Sequence, residues 1–211
     1  MERIPIKTNP KLFDRAAAQI QQELASLTWL DHIFGICERL TDVKEGKRFN
    51  SANVYAGEDQ YTQVMPCKEL GNFAFLVLKD PQVIGRRDEN VISGPFSLIV
   101  WYDMRTLSFP LDERNREAVK AQILGVLNAR RFPWLSFNKI YERPESVFAD
   151  FSYDHTNNQF LMAPYAGLRL EGEMKVRIPC AVQLPIETWY LLTSDGSYYL
   201  TSENERIIVQ H

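Results

Sequence analysis

The sequence predicts an α+β fold: a mainly antiparallel sheet, two amphipathic helices packed on it, and a C-terminal β-hairpin. Three observations predict it. Residues 10–28 repeat apolar side chains at steps of three and four, residues 168–178 alternate apolar and charged side chains, and residues 96–102 are almost wholly apolar. The first is the period of a helix with one buried stripe. The second is that of a strand with one buried face, and the third suits a central strand buried on both faces.

Asn9-Pro10 reads as a helix start, Asn as N-cap and Pro at the first helical position. Phe13, Ala16, Ile20, Leu24 and Leu27 form the apolar stripe, with Lys11, Asp14, Arg15, Gln21 and Glu23 on other faces. From 32 to 79 the pattern turns to short β-like runs at 33–40, 48–56 and 72–79. Lys44-Glu45-Gly46-Lys47 makes a turn between the first two, and two of the three runs are expected to pair as a hairpin. The polar connection at 86–90 delivers the chain to the strand at 96–102. Asp112 is the expected N-cap of a second helix over 112–131, with Val119, Ile123, Val126 and Leu127 on one face. Gly125 weakens that helix slightly, and Arg130-Arg131 followed by Phe132-Pro133 end it. Residues 142–158 read as irregular, with a short helix near 145–151.

In the strand at 168–178, Leu168, Leu170, Met174, Val176 and Ile178 face the core, opposite a ladder of Arg169, Glu171, Glu173, Lys175 and Arg177. At about 3.3 Å per residue it spans about 36 Å, and its charged ladder is expected to face solvent or a neighbouring subunit. Asp195-Gly196 between two β-rich arms predicts a hairpin over 188–201. That hairpin carries Trp189, Tyr190, Tyr198 and Tyr199, more aromatic surface than two strands hide, so it must dock on the body or on a partner. The expected organisation is a core domain at 1–180 and a hairpin extension at 181–211.

The composition, 45% hydrophobic and 24% charged, is that of a folded globular chain rather than a disordered one. A net charge of −3 provides no global field for nucleic acid, and no specific nucleic-acid binding is expected. The N-terminus has no apolar leader, and the longest apolar run, at 73–78, is far short of the roughly 20 residues of a membrane helix. Cys37, Cys67 and Cys180 are odd in number and far apart, which suits buried thiols better than disulfides or a metal site. His32, His155 and His211 have no metal-ligand companion at helical spacing, and solitary glycines supply no phosphate loop. Asp154-His155 is the best catalytic candidate, a histidine with a carboxylate beside it, within a run of turn-forming residues. The expectation is no cofactor, no metal and no catalysis.

Two segments, Gly94-Pro95-Phe96-Ser97-Leu98-Ile99-Val100-Trp101-Tyr102-Asp103 and Phe160-Leu161-Met162-Ala163-Pro164-Tyr165-Ala166-Gly167-Leu168-Arg169-Leu170, resemble proteins of Bacteroidetes phages and prophages. The order of elements over about 10–180 resembles the small α+β subunits at the head–tail joint and tail end of long-tailed phages, the tail-terminator and tail-completion class. This resemblance implies a homo-oligomeric ring, often a hexamer, that caps or joins a tube alongside neighbouring virion proteins, in the host cytoplasm and then in the particle. Its candidate interface is Arg169, Glu171, Glu173, Lys175, Arg177, Trp189, Tyr190, Tyr198 and Tyr199. The alternatives are a monomeric adaptor that binds through the aromatic hairpin, or a hydrolase of unfamiliar type using Asp154 and His155.

Overall fold

A computed structural model describes residues 2–44, 46–85, 90–110, 115–128, 132–152, 160, 162–178, 191–192 and 198–199. In chain order the elements are α1 (Leu12–Leu24), β1 (His32–Ile36), β2 (Glu38–Lys44), β3 (Lys47–Gly57), β4 (Gln60–Gln63), β5 (Phe73–Leu78) and β6 (Val83–Ile84). They continue with β7 (Val91–Asp103), α2 (Arg116–Val126), β8 (Leu135–Tyr141), α3 (Pro144–Val147), β9 (Tyr165–Arg177), β10 (Leu191–Leu192) and β11 (Tyr198–Tyr199). The fold is α+β. The chain divides into two units, Met1–Ile178 and Pro179–His211. In the second, β10 and β11 pair antiparallel, Leu191 opposite Tyr199 and Leu192 opposite Tyr198.

The first unit is built on a sheet of order β1-β5-β7-β9-β8, with β6 pairing onto β7. Every pairing in it is antiparallel except β1 with β5. As the apolar run at 96–102 predicts, β7 lies inside the sheet, flanked by β5 and β9. Alternation along it sends Phe96, Leu98, Val100 and Tyr102 to one face, where they join Leu168, Leu170 and Met174 of β9 beneath α1 and α2. Ile99 and Trp101 point the other way, into a second apolar cluster with Phe73, Phe75, Ala52, Val54, Phe148 and Phe151. Helices cover the first face. The small sheet β2-β3-β4 and the α3 segment contribute the cover of the second.

Local chemistry sets the ends of the elements. The Asn9-Pro10 start is not used: helix α1 follows Lys11, whose side chain makes no cap, because the chain turns at Leu12 with φ 42°. Helix α2 opens on Asn115, whose side chain accepts the Ala118 N–H at 2.9 Å. It is shorter than predicted, and Asp112 lies outside the described residues. The single β run expected at 33–40 is two strands in two sheets. Cys37 N–H donates to Leu76 O at 2.7 Å, the last bond to β5, before the chain leaves for β3. The hairpin expected around the 44–47 turn is β2–β3, paired from Glu38↔Asn53 to Lys44↔Lys47.

Strand β8 is not foreseen by the sequence reading. A bulge between Phe137 and Lys139 breaks its alternation, and Ser136, Asn138, Lys139 and Ile140 are exposed. Its approach to β9 depends on Gly172. A Cβ placed there would lie 1.7 Å from the Ser136 carbonyl oxygen, so only a bare α-carbon lets the two backbones meet. Gly172→Ala is therefore expected to displace β8 and destabilise the fold by about 2 kcal/mol or more, the cost of forced overpacking. The urea midpoint measures this, and a midpoint equal to that of the parent would contradict it.

Candidate functional site

The charged ladder of β9 divides in two. Arg169 is not part of an outer face: it is 2% exposed, beneath the α3 segment. Its Nε donates to Ser97 Oγ at 3.2 Å and to Glu171 Oε1 at 3.1 Å. Nη1 reaches Val147 O at 3.4 Å, and Nη2 pairs with Asp150 Oδ2 at 2.6 Å. Glu171 also pairs with Lys79. Burial opposes ionisation of Glu171, but the Lys79 ammonium and the Arg169 guanidinium outweigh it and hold its carboxyl below the ordinary carboxylate range. Arg169 is therefore buried within a paired network that the half-buried Glu171 completes, which corrects the placement of Arg169 on an outer face. The same period-two pattern occurs whether a charged face is covered or open, so the pattern alone does not separate them. Beyond them, Glu173 is half-buried and Lys175 and Arg177 are exposed.

Among the other candidates, Tyr198 and Tyr199 form β11. Trp189, Tyr190, Asp154, His155 and Cys180 lie outside the described residues. Asp31 and His32 turn apart as adjacent residues should. Asp31 accepts the Asn72 N–H at 2.7 Å, while His32 stacks on Phe34 and its Nδ1 lies 3.3 Å from Glu2 O. Burial pushes the Cys37 thiol up to about 12, which keeps it protonated and a poor nucleophile. Among the described residues, no group of three or more His, Cys, Asp or Glu is placed to hold a metal ion. No described helix is long and apolar enough to cross a membrane.

Two buried amides that sequence reasoning missed hold the frame. Asn72 Nδ2 donates to Trp29 O at 2.7 Å and to Thr106 Oγ1 at 2.8 Å, and its Oδ1 accepts the Asp103 N–H at 2.7 Å. Gln21 Nε2 donates to Pro5 O and Ile33 O, fixing α1 to β1 and to the N-terminal segment. Neither is a reacting group; both satisfy backbone that burial would otherwise leave unpaired. A polar cleft of about 600 Å³ beside α2 and β8 holds Arg116, Lys120 and Arg143, but Lys120 pairs with both Glu117 and Glu142.

The exposed surfaces are more informative. The far part of the β2–β3 ribbon, beyond Asn50, pairs only with itself among the described strands. At Asn50 it is tied to the body through Ser152, whose N–H donates to Asn50 O and whose Oγ accepts the Asn50 N–H. Leu40 is 50% exposed and Val43 67%. Three positions apart on a strand, they emerge on opposite faces, so both faces of the ribbon carry uncovered apolar surface. Among the described strands β8 is an edge of the large sheet, and it exposes Ile140. A groove of about 560 Å³ runs beside α1, with Ala16, Val91, Trp134 and Val176 in its lining and Arg15, Lys175 and Arg177 around them.

Compared with known family models, curated proteins and solved structures, the chain matches none. The reading of function therefore rests on its own residues.

Two outcomes follow from the β9 network. Arg169→Ala leaves Asp150 and Glu171 without their buried partner and is expected to cost about 3 kcal/mol. Arg169→Lys should not restore it, since one ammonium cannot reach the same acceptors; full stability of either variant in urea would contradict the network. Glu171, and likewise Asp103 beside Arg105 and Glu142 beside Lys120, ionise more readily folded than unfolded. Their contribution is complete above the unfolded carboxylate range of about 4, and is lost as pH falls through the lower folded values. The urea midpoint should fall below about pH 4, and Glu171→Gln should flatten that fall.

Proposed function

We propose that the chain is a structural subunit that assembles with copies of itself into a ring, at the head–tail joint or tail end of a phage or prophage particle. The observation that carries this reading is the β2–β3 ribbon, with Leu40 and Val43 uncovered on its two faces. A two-stranded ribbon is marginal in water by itself. One that displays apolar side chains on both faces is suited to contact with another protein surface, and a ring provides a neighbour for every copy. The β8 edge, unpaired among the described strands, supports the reading, because a sheet edge offers backbone groups for pairing with another chain. The resemblance of the Gly94–Asp103 and Phe160–Leu170 segments to phage and prophage proteins supports the particle as its place. In this reading the protein turns nothing over and needs no cofactor.

The test is solution mass by size-exclusion chromatography with light scattering across a wide concentration range. The parent is expected to form one discrete closed oligomer. Leu40→Glu with Val43→Glu is expected to run as a single subunit, with a urea midpoint near that of the parent because both positions are exposed. A parent that remains a single subunit at all concentrations, or a variant that keeps the parent's mass, would count against this reading.

A further inference from the structure

We propose that copies of this chain join head to tail, the acidic β3–β4 turn of one subunit entering the cation-rimmed groove beside α1 of the next. This rests on the ring reading and names its contact.

The groove supplies one half. Trp134 is held at its edge because Lys175 N–H donates to Trp134 O at 2.8 Å, so the lining is preformed. Ala16 and Val176 belong to the packed face beneath α1 and leave part of their surface toward the groove. Among the described residues, Arg15, Lys175 and Arg177 enter no ion pair. An apolar lining with three uncommitted cations favours a ligand with an apolar body and several carboxylates.

The turn supplies the other half. Gly57, Glu58 and Asp59 have φ of 101°, 49° and 57°, a tight reversal that thrusts the two acids into solvent. Glu2 lies against Gly57, its carboxylate 3.4 Å from where a Cβ would stand. Tyr61, 47% exposed, packs edge-on against Tyr55 beside them. Lys7, the cation that Tyr61 approaches, is engaged by Asp14 at 3.0 Å. The tip thus presents three carboxylates and one aromatic ring, a complement to the groove in charge and in apolar character.

The two are distinct surfaces, set toward different edges of the large sheet. Glu2 O meets His32 of β1, one edge of the large sheet, and β3 packs near β1. The groove is bounded by Lys175 and Arg177 of β9, next to the other edge strand, β8. A contact between two unlike patches is heterologous, and it repeats from copy to copy into a ring where its rotation closes.

The test begins with zero-length carbodiimide coupling of carboxylates to amines, on a mixture of isotopically light and heavy chains. Mass spectrometry is expected to find a light–heavy peptide joining Glu58 or Asp59 to Lys175. Separately, Glu58→Lys with Asp59→Lys, and Arg15→Glu with Lys175→Glu, should each weaken assembly about tenfold or more, as loss and reversal of several exposed pairs would. Mixing the two variants should restore assembly, because each then offers the other a matching groove and turn. Oligomers that persist unchanged in both variants, with no such peptide, would overturn the head-to-tail contact and leave the ring reading standing. A parent that neither assembles nor yields any light–heavy peptide would overturn both.

Discussion

The register between β7 and β9 is the constraint on which the rest of the first unit depends. From Val91↔Arg177 to Asp103↔Tyr165 the two strands pair without a break, and slipping them by one residue would send every side chain to the wrong face. In the observed register Leu98 opposes Leu170 and Val100 opposes Leu168 on the face that α1 and α2 cover. On the other face Ser97 opposes Glu171 and Ile99 opposes Arg169, so the Arg169 guanidinium stands beside the Ser97 hydroxyl. Core and polar network are two consequences of one alignment.

That alignment also explains what the sequence disclosed and what it did not. Period two at 168–178 identified β9 and its core-facing Leu168, Leu170 and Met174 with Val176 packed against them, although Ile178 follows the end of the strand and is only half-buried, and the apolar run at 96–102 identified the strand beside it. Neither pattern reports how deeply the opposite face is covered. Arg169 and Lys175 are equivalent in the alternation, yet Phe148 and Phe151 pack over the part of that face near Trp101 while Lys175 lies open. The α3 segment that brings Val147 O and Asp150 to Arg169 is distant in sequence, so no local pattern encodes the burial. Strand β8 escaped for a related reason: its bulge destroys the period by which strands are recognised, and its place beside β9 depends on the bare α-carbon of Gly172. The helix at 10–28 was legible from its stripe, but its start was not, because Leu12 adopts a left-handed backbone that the Asn9-Pro10 signal does not anticipate.

The candidate surfaces lay further from the sequence than the fold did. Leu40 ends a β-like run that also contains apolar residues destined for the core, Val43 lies just beyond it, and the departure of the chain from β5 at Cys37 leaves both uncovered. Arg15 belongs to a helix, Lys175 to a strand, and Trp134 to the approach to β8; tertiary packing makes one groove of them. Physical reasoning on the sequence placed functional weight on aromatic and charged side chains. The structure redistributes that weight, burying Arg169 with the half-buried Glu171 as its partner and giving prominence to a ribbon, a turn and a groove.

The central claim, self-assembly into a closed ring by contacts between unlike surfaces, is tested most directly by electron microscopy of the purified protein under conditions where it is concentrated. The account predicts closed rings with a central opening and one rotational symmetry higher than two. Isolated subunits or two-fold dimers in every field would contradict it.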